Sequence, residues 1–165
     1  MEMESLQDLL LEELKDLYSA EKQLIKAMPK MAKTATSPEL KQAFQTHLKE
    51  TENQVKRLEQ VFKSLDEKAR AKHCHGMEGL IEEGKEMMAE DMDEDVMDAA
   101  LIAAAQKIEH YEIASYGTCR TYAELLGNEE AARLLQQTLD EEGKTDKLLT
   151  QLAESSINVE AAQAN

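Results

Sequence analysis

The chain has 165 residues, a formal net charge of −15, 42% hydrophobic and 4% aromatic residues, and no tryptophan. That length suits a single domain burying about two-thirds of its unfolded surface. The charge repels phosphate backbones and anionic headgroups, and no basic stripe with interleaved aromatics offsets it, which argues against nucleic acid and membrane as partners.

Ala, Leu, Met, Glu, Lys and Gln dominate and β-branched residues are scarce, so an all-α fold is expected. Met1 to Leu11 holds three acidic residues, no basic segment and no long apolar run. Neither signal peptide nor membrane anchor is predicted, and a cytoplasmic location is expected. Cys74 and Cys119 are then expected to be reduced thiols.

Ser5 with Asp8 resembles a capping box, and Leu10, Leu14, Leu17, Leu24, Met28 and Met31 follow at helical spacing. A first helix is predicted from Ser5 to Ala35, kinked at Pro29. Ser37-Pro38-Glu39 combines an N-cap, a first-turn proline and an acid, opening a second helix to about Leu65. Between Asp66 and Gly79 the pattern weakens. Leu80, Ile81, Met87 and Met88 then suggest a short helix broken at Gly84 and closed by the acidic run Glu90 to Asp95. Val96 to Leu126 reads as a long Ala-rich helix, and Gly127-Asn128 as a stop and a new N-cap before a last helix to about Ala162. One domain over 1–165 follows, with hairpins at 1–65 and 96–162 and a crossover at 66–95. This is the order of a ferritin-like four-helix bundle with a long connection carrying a short extra helix.

The apolar stripes are interrupted by acids. Glu21 falls between Leu17 and Leu24, Glu112 follows Ile108 with Glu109 one turn before it, and Glu142 shares a face with Leu135, Thr138 and Leu149, with Asp146 one turn on. On the second helix His47, Glu50 and Gln54 lie on the inward edge. Glu21 lies 15 residues before Thr36 and Glu50 lies 14 after it, while Glu112 and Glu142 stand 15 either side of Gly127. At 1.5 Å per residue each acid is about 22 Å from its turn, so the four are level within their hairpins. Buried ionised carboxylates need cations or protons, and di-iron and di-manganese carboxylate bundles hold their ions with such side chains. The metal set read from the sequence is Glu21, Glu50, Glu109, Glu112, Glu142, Asp146 and Gln54, for two Fe or Mn ions per chain. A single acid on a stripe edge is as readily a solvated flank.

His47 reads either as a ligand or as a polar edge residue supporting the ligands. Tyr18 and Tyr116, one turn from Glu21 and Glu112, read as hydrogen-bond donors to the ligands or as core tyrosines. His110 falls away from the stripe. His73-Cys74-His75 lacks a second ligand pair and reads as a loop sooner than a zinc site.

Leu17 to Leu24 (LYSAEKQL), His47 to Gln54 (HLKETENQ), Met77 to Glu83 (MEGLIEE), Asp98 to Gly117 (DAALIAAAQKIEHYEIASYG) and Leu134 to Leu149 resemble the YciF/YciE family of bacterial ferritin-like stress proteins. The resemblance implies a dimeric, rubrerythrin-like bundle with a di-metal centre and a part in stress responses. It carries onto Glu21, Glu50, Glu109, Glu112 and Glu142. Where rubrerythrins and ferritins have Glu-x-x-His, Asn53 follows Glu50 and Thr145 follows Glu142, so those histidines are missing. Two functions remain: a di-iron oxidoreductase acting on peroxide or oxygen, and a metal-binding or structural stress protein without turnover.

Overall fold

Ser5 Oγ accepts the Asp8 backbone N–H at 3.1 Å while the Asp8 carboxylate accepts the Ser5 N–H at 3.0 Å, the reciprocal pair of a capping box. From this cap helix α1 runs over Leu6–Thr34 in the computed structural model, which describes residues 3–164. Met1, Glu2 and Asn165, the outer limits of the predicted domain and of its acidic start, lie outside the described residues. The further helices are α2 Pro38–Ser64, α3 His75–Ala89, α4 Glu94–Leu125 and α5 Glu129–Leu152. A π-helical turn over Ala153–Ile157 and the short α6 Asn158–Ala161 prolong α5. The hairpins α1–α2 and α4–α5 form the four-helix bundle, and α3 rides on the crossover between them, packed on α4 and α1.

Neither Pro29, where a kink is expected, nor Gly84, where a break is expected, ends its helix. Pro29 is on the exposed face of α1, where the Ile25 carbonyl it leaves unpaired can meet water, and the helix continues to Thr34. Gly84 costs α3 about 1 kcal/mol relative to alanine, yet α3 passes through it to Ala89. Gly127 ends the second hairpin's turn at φ 75, a left-handed conformation that glycine takes without strain.

Each hairpin's turn is fastened to the other hairpin. The buried Asp98 of α4 accepts the Thr36 and Ser37 backbone N–H groups at 2.8 and 2.7 Å, holding the α1–α2 turn. At the opposite end, Asn128 caps α5 by accepting the Ala131 N–H and donates its amide to the Ser64 carbonyl at 3.3 Å. The two turns therefore lie at opposite ends of the bundle.

The core is divided. Leu24, Met28, Phe44, Leu101, Ile108 and Leu149 belong to one apolar cluster, toward the first turn. Leu14, Leu17, Leu58, Phe62, Tyr116 and Leu135 belong to another, toward the second. Between them stands a layer of polar side chains. Among the described residues no helix is long and apolar enough to cross a membrane.

Asp98→Ala removes two hydrogen bonds to a charged acceptor and strands two backbone donors, a loss of about 3 kcal/mol. Thermal unfolding should show a Tm lower by about 9 °C, and Asp98→Asn, which keeps one acceptor, should lose less. An unchanged Tm would show that the turn holds without this clamp.

Candidate metal centre

The seam that sets the layer is the regular alternation of three- and four-residue steps. On α1 it reads Leu10, Leu14, Leu17, Glu21, Leu24, Met28, Met31, every member buried. On α4 the buried set includes Ile108, Glu109, Glu112 and Tyr116; on α5 it is Leu135, Thr138, Glu142 and Leu149; on α2 it is Phe44, His47, Thr51, Gln54 and Leu58. Polar groups from all four long helices meet at mid-height. One ligand atom each from His47, Glu109, Glu112 and Glu142 lies within 4.8 Å of the others. His47 Nε2 is 2.7 Å from Glu109 Oε1 and 3.8 Å from Glu142 Oε2, and its Nδ1 is 3.5 Å from Glu50 Oε2.

Glu21, Glu112 and Glu142 are wholly buried. Among the described residues none donates a hydrogen bond to either oxygen of these three, and Glu109 Oε2 and the Tyr116 hydroxyl are likewise buried without a partner. Burial pushes the carboxyl groups of Glu21, Glu112 and Glu142 well above the usual carboxylate range, and the negative charges of their neighbours push them further. Burial opposes the His47 imidazolium, but Glu109, Glu50 and Glu142 outweigh it and hold its pKa well above the usual value. The same imidazole holds Glu50 below the usual range. Burial, then the charges of Glu21, Glu112 and Glu142, raise the Tyr116 phenol. An unpartnered set of buried carboxyl oxygens with one imidazole could hold a hard or borderline divalent metal ion.

The structure brings together Glu21, Glu109, Glu112 and Glu142 as the sequence places them, and Tyr116 with them. His47 is inside the layer, not on its edge. Glu50 stands at the rim, its side chain 28% exposed, on the flank of α2 that also carries Arg57 toward α5. Gln54 is buried, with its amide donating to Glu141 at 3.4 Å and its Oε1 unpartnered. Asp146 is apart: it accepts from Gln106 at 3.3 Å and lies 3.2 Å from the exposed His110. The placement of Asp146 in the layer is thus corrected, because one turn beyond Glu142 the face has rotated toward α4. Tyr18 is corrected too, since its hydroxyl donates to Glu59 at 2.9 Å.

A cleft of about 540 Å³ between α2 and α5, lined by Gln42, Thr46, His47, Glu50, Lys144 and Leu148, reaches the layer from outside. His47 forms part of both. On its inner side a cavity of about 10 Å³ touches Phe44, Ile108 and Glu109, the volume of about one water.

The raised carboxyl groups keep protons that an unfolded chain, titrating near 4.5, has released, so without metal they make stability fall as pH rises above about 4.5. His47 acts in the same direction: its contribution is complete below about 6.5 and is lost as pH rises through its folded value. Asp8, Glu12 and Glu78, all lowered, have given their stabilisation by pH 5. Urea unfolding of chelator-treated protein should show stability decreasing from pH 5 to 8, with a shallower slope in Glu142→Gln. A profile that climbs over this range would contradict the charge state described.

The model of the family described as "Domain of unknown function (DUF892)" matches residues 5–162. Protein YciF of Escherichia coli strain K12 is 49% identical over 162 residues, 98% of each chain. The crystal structure of the E. coli stress protein YciF superposes with a TM-score of 0.91 at 50% identity, covering 94% of this chain and 99% of that one. YcfI of Rhodopseudomonas palustris, described provisionally as a structural protein, superposes with a TM-score of 0.88 at 44% identity, covering 90% and 95%.

Proposed function

We propose, from the premise that the chain belongs to the YciF family, the domain of unknown function DUF892, that it is a di-metal carboxylate protein acting in a bacterial stress response. The observation that carries this reading is the set of six buried carboxyl oxygens on Glu21, Glu112 and Glu142 with no donor to satisfy them. Left as anions the three carboxylates would cost several kcal/mol each, more than a marginally stable domain tolerates. Glu21, Glu109, Glu112, Glu142 and His47, with Glu50 from the rim, would hold two ions. Five carboxylates and one imidazole favour iron or manganese over softer metals. Such a pair of ions, when bound, supplies electrons to a small oxidant such as peroxide or oxygen.

The chain's own residues would set the conditions for that chemistry. Leu24, Ile108 and Phe44 on one side and Leu17 and Leu135 on the other keep bulk water from the layer. The cleft between α2 and α5 offers a small molecule a route that ends at the His47 imidazole. Tyr116, wholly buried and with no hydrogen-bond partner for its hydroxyl among the described residues, lies near enough to Glu21, Glu112 and Glu142 for their charges to raise its phenol. A homodimer, as the resemblance implies, and a cytoplasmic setting complete the proposal.

A second reading has one observation behind it, the provisional description of YcfI as a structural protein. Under it the bundle acts without turnover, and the layer is kept neutral by protons. Metal analysis separates the two. Protein expressed with iron or manganese should carry about two ions per chain. At ligand a hundredfold above Kd, bound metal adds about 2.7 kcal/mol, so chelation should lower Tm by about 8 °C. Glu112→Gln with Glu142→Gln should abolish that metal dependence. Folded protein that holds no metal and keeps its Tm in chelator would leave the structural reading standing.

A further inference from the structure

The sequence His73-Cys74-His75 and the first turn of α3 form a second group of metal-ligating side chains, outside the bundle. His73 Nε2 lies 2.9 Å from Glu78 Oε2, and His75 Nδ1 lies 3.5 Å from that same oxygen. The three ligand atoms all fall within 4.8 Å of one another. The imidazole centroids are 4.7 Å apart with the rings edge to face. A divalent ion with bonds near 2.1 Å spaces its tetrahedral ligands about 3.4 Å apart, close to these separations. A plain ion pair would engage Glu78 with one histidine; here two converge on one oxygen.

The local backbone explains the convergence. Cys74 is extended, at φ −87 and ψ 100, so its side chain projects opposite to those of its neighbours and both histidines fall on one side. Cys74 itself is fixed in the interior. Its N–H donates to Ser19 Oγ at 3.0 Å, its carbonyl accepts from Gln23 at 3.1 Å, and its sulfur meets Asp16 Oδ2 and the Tyr111 hydroxyl at 3.2 and 3.1 Å. Lys72 N–H donates to the Lys15 carbonyl, pinning the residue before the group to α1. Gly76 completes the anchor, because a Cβ there would come 2.8 Å from the Tyr111 ring. Glu78, one helical turn after His75, then shares its face. Buried anchorage of one residue thus holds two exposed imidazoles and a carboxylate in register.

We propose that His73, His75 and Glu78 form a surface site for a borderline divalent cation of the zinc class, with water completing the coordination. Two imidazole nitrogens and one carboxylate oxygen suit Zn²⁺, Co²⁺ or Ni²⁺ better than the hard ions favoured by the oxygen-rich layer. The two sites differ in donor chemistry, in exposure and in place, so they can be loaded and removed separately.

The test is Zn²⁺ titration against a colorimetric chelator on full-length wild type, on His73→Ala with His75→Ala, and on Glu112→Gln with Glu142→Gln. The histidine double variant should bind one Zn²⁺ fewer per chain with unchanged helical circular dichroism, and the glutamine double variant should keep that site. Glu78→Gln should weaken it by at least about tenfold. In wild type, substoichiometric Ni²⁺ should broaden the ring NMR signals of His73 and His75 before those of His110. Equal Zn²⁺ stoichiometry in wild type and the histidine variant, or ring signals untouched by Ni²⁺, would overturn the proposal whatever the buried layer binds.

Discussion

A layer of carboxylic acids at mid-height in an otherwise apolar bundle is the constraint to which the other features answer. Each acid occupies a position that the helical seam assigns to a leucine, so none can turn to solvent without unwinding its helix. Desolvation at such sites is offset only by a proton or a cation. The molecule contains both answers in outline: carboxyl groups and a His47 imidazole whose affinities for the proton are raised, and an oxygen-rich set without donors for the cation. Splitting the core into two apolar halves is the structural consequence, since neither half continues across the layer.

That layer meets at one height because of how the hairpins are joined. Their turns sit at opposite ends of the bundle, one held by Asp98 and the other by Asn128. A residue 15 positions from its turn is near the middle of a helix of 29 or 32 residues, so Glu21 and Glu112 coincide even though each was counted from a different end. The agreement depends on helix length as much as on spacing. The Asp98 clamp therefore does more than fasten a loop, as it sets the axial position of α1 and α2 against α4.

What the sequence revealed and what it concealed follow from the same geometry. Glu21, Glu112 and Glu142 were legible because each stands at a seam position in an otherwise largely apolar stripe. For His47 the sequence leaves both a ligand and an edge position open, whereas the seam on α2 steps through His47, Thr51 and Gln54 and leaves Glu50 on the flank. The two tyrosines show a directional effect that spacing alone misses. Helical side chains lean toward the N-terminus. Tyr116, one turn after Glu112, leans back to the layer, whereas Tyr18, one turn before Glu21, leans away to Glu59. The fold was readable from periodicity and turn residues, and the helix starts at Ser5, Ser37 and Asn128 are all capped as their residue types require.

His47 also answers, in part, the absence of the expected Glu-x-x-His pattern. An imidazole reaches the layer from one turn before Glu50 instead of one after it, giving His-x-x-Glu in reverse order on the same helix. Because the cleft between α2 and α5 ends at this ring, its position is at once inside the layer and at an approach to it from outside. No second histidine joins it: among the described residues Thr145 stands three after Glu142, where Glu-x-x-His would put one, its hydroxyl 3.4 Å from His47 Nδ1. The centre is thereby asymmetric, with nitrogen on the side that faces the cleft and oxygen alone on the side sealed by Leu17 and Tyr116. In such an arrangement the two halves of the layer experience different fields, and it is the imidazole side that borders the cleft.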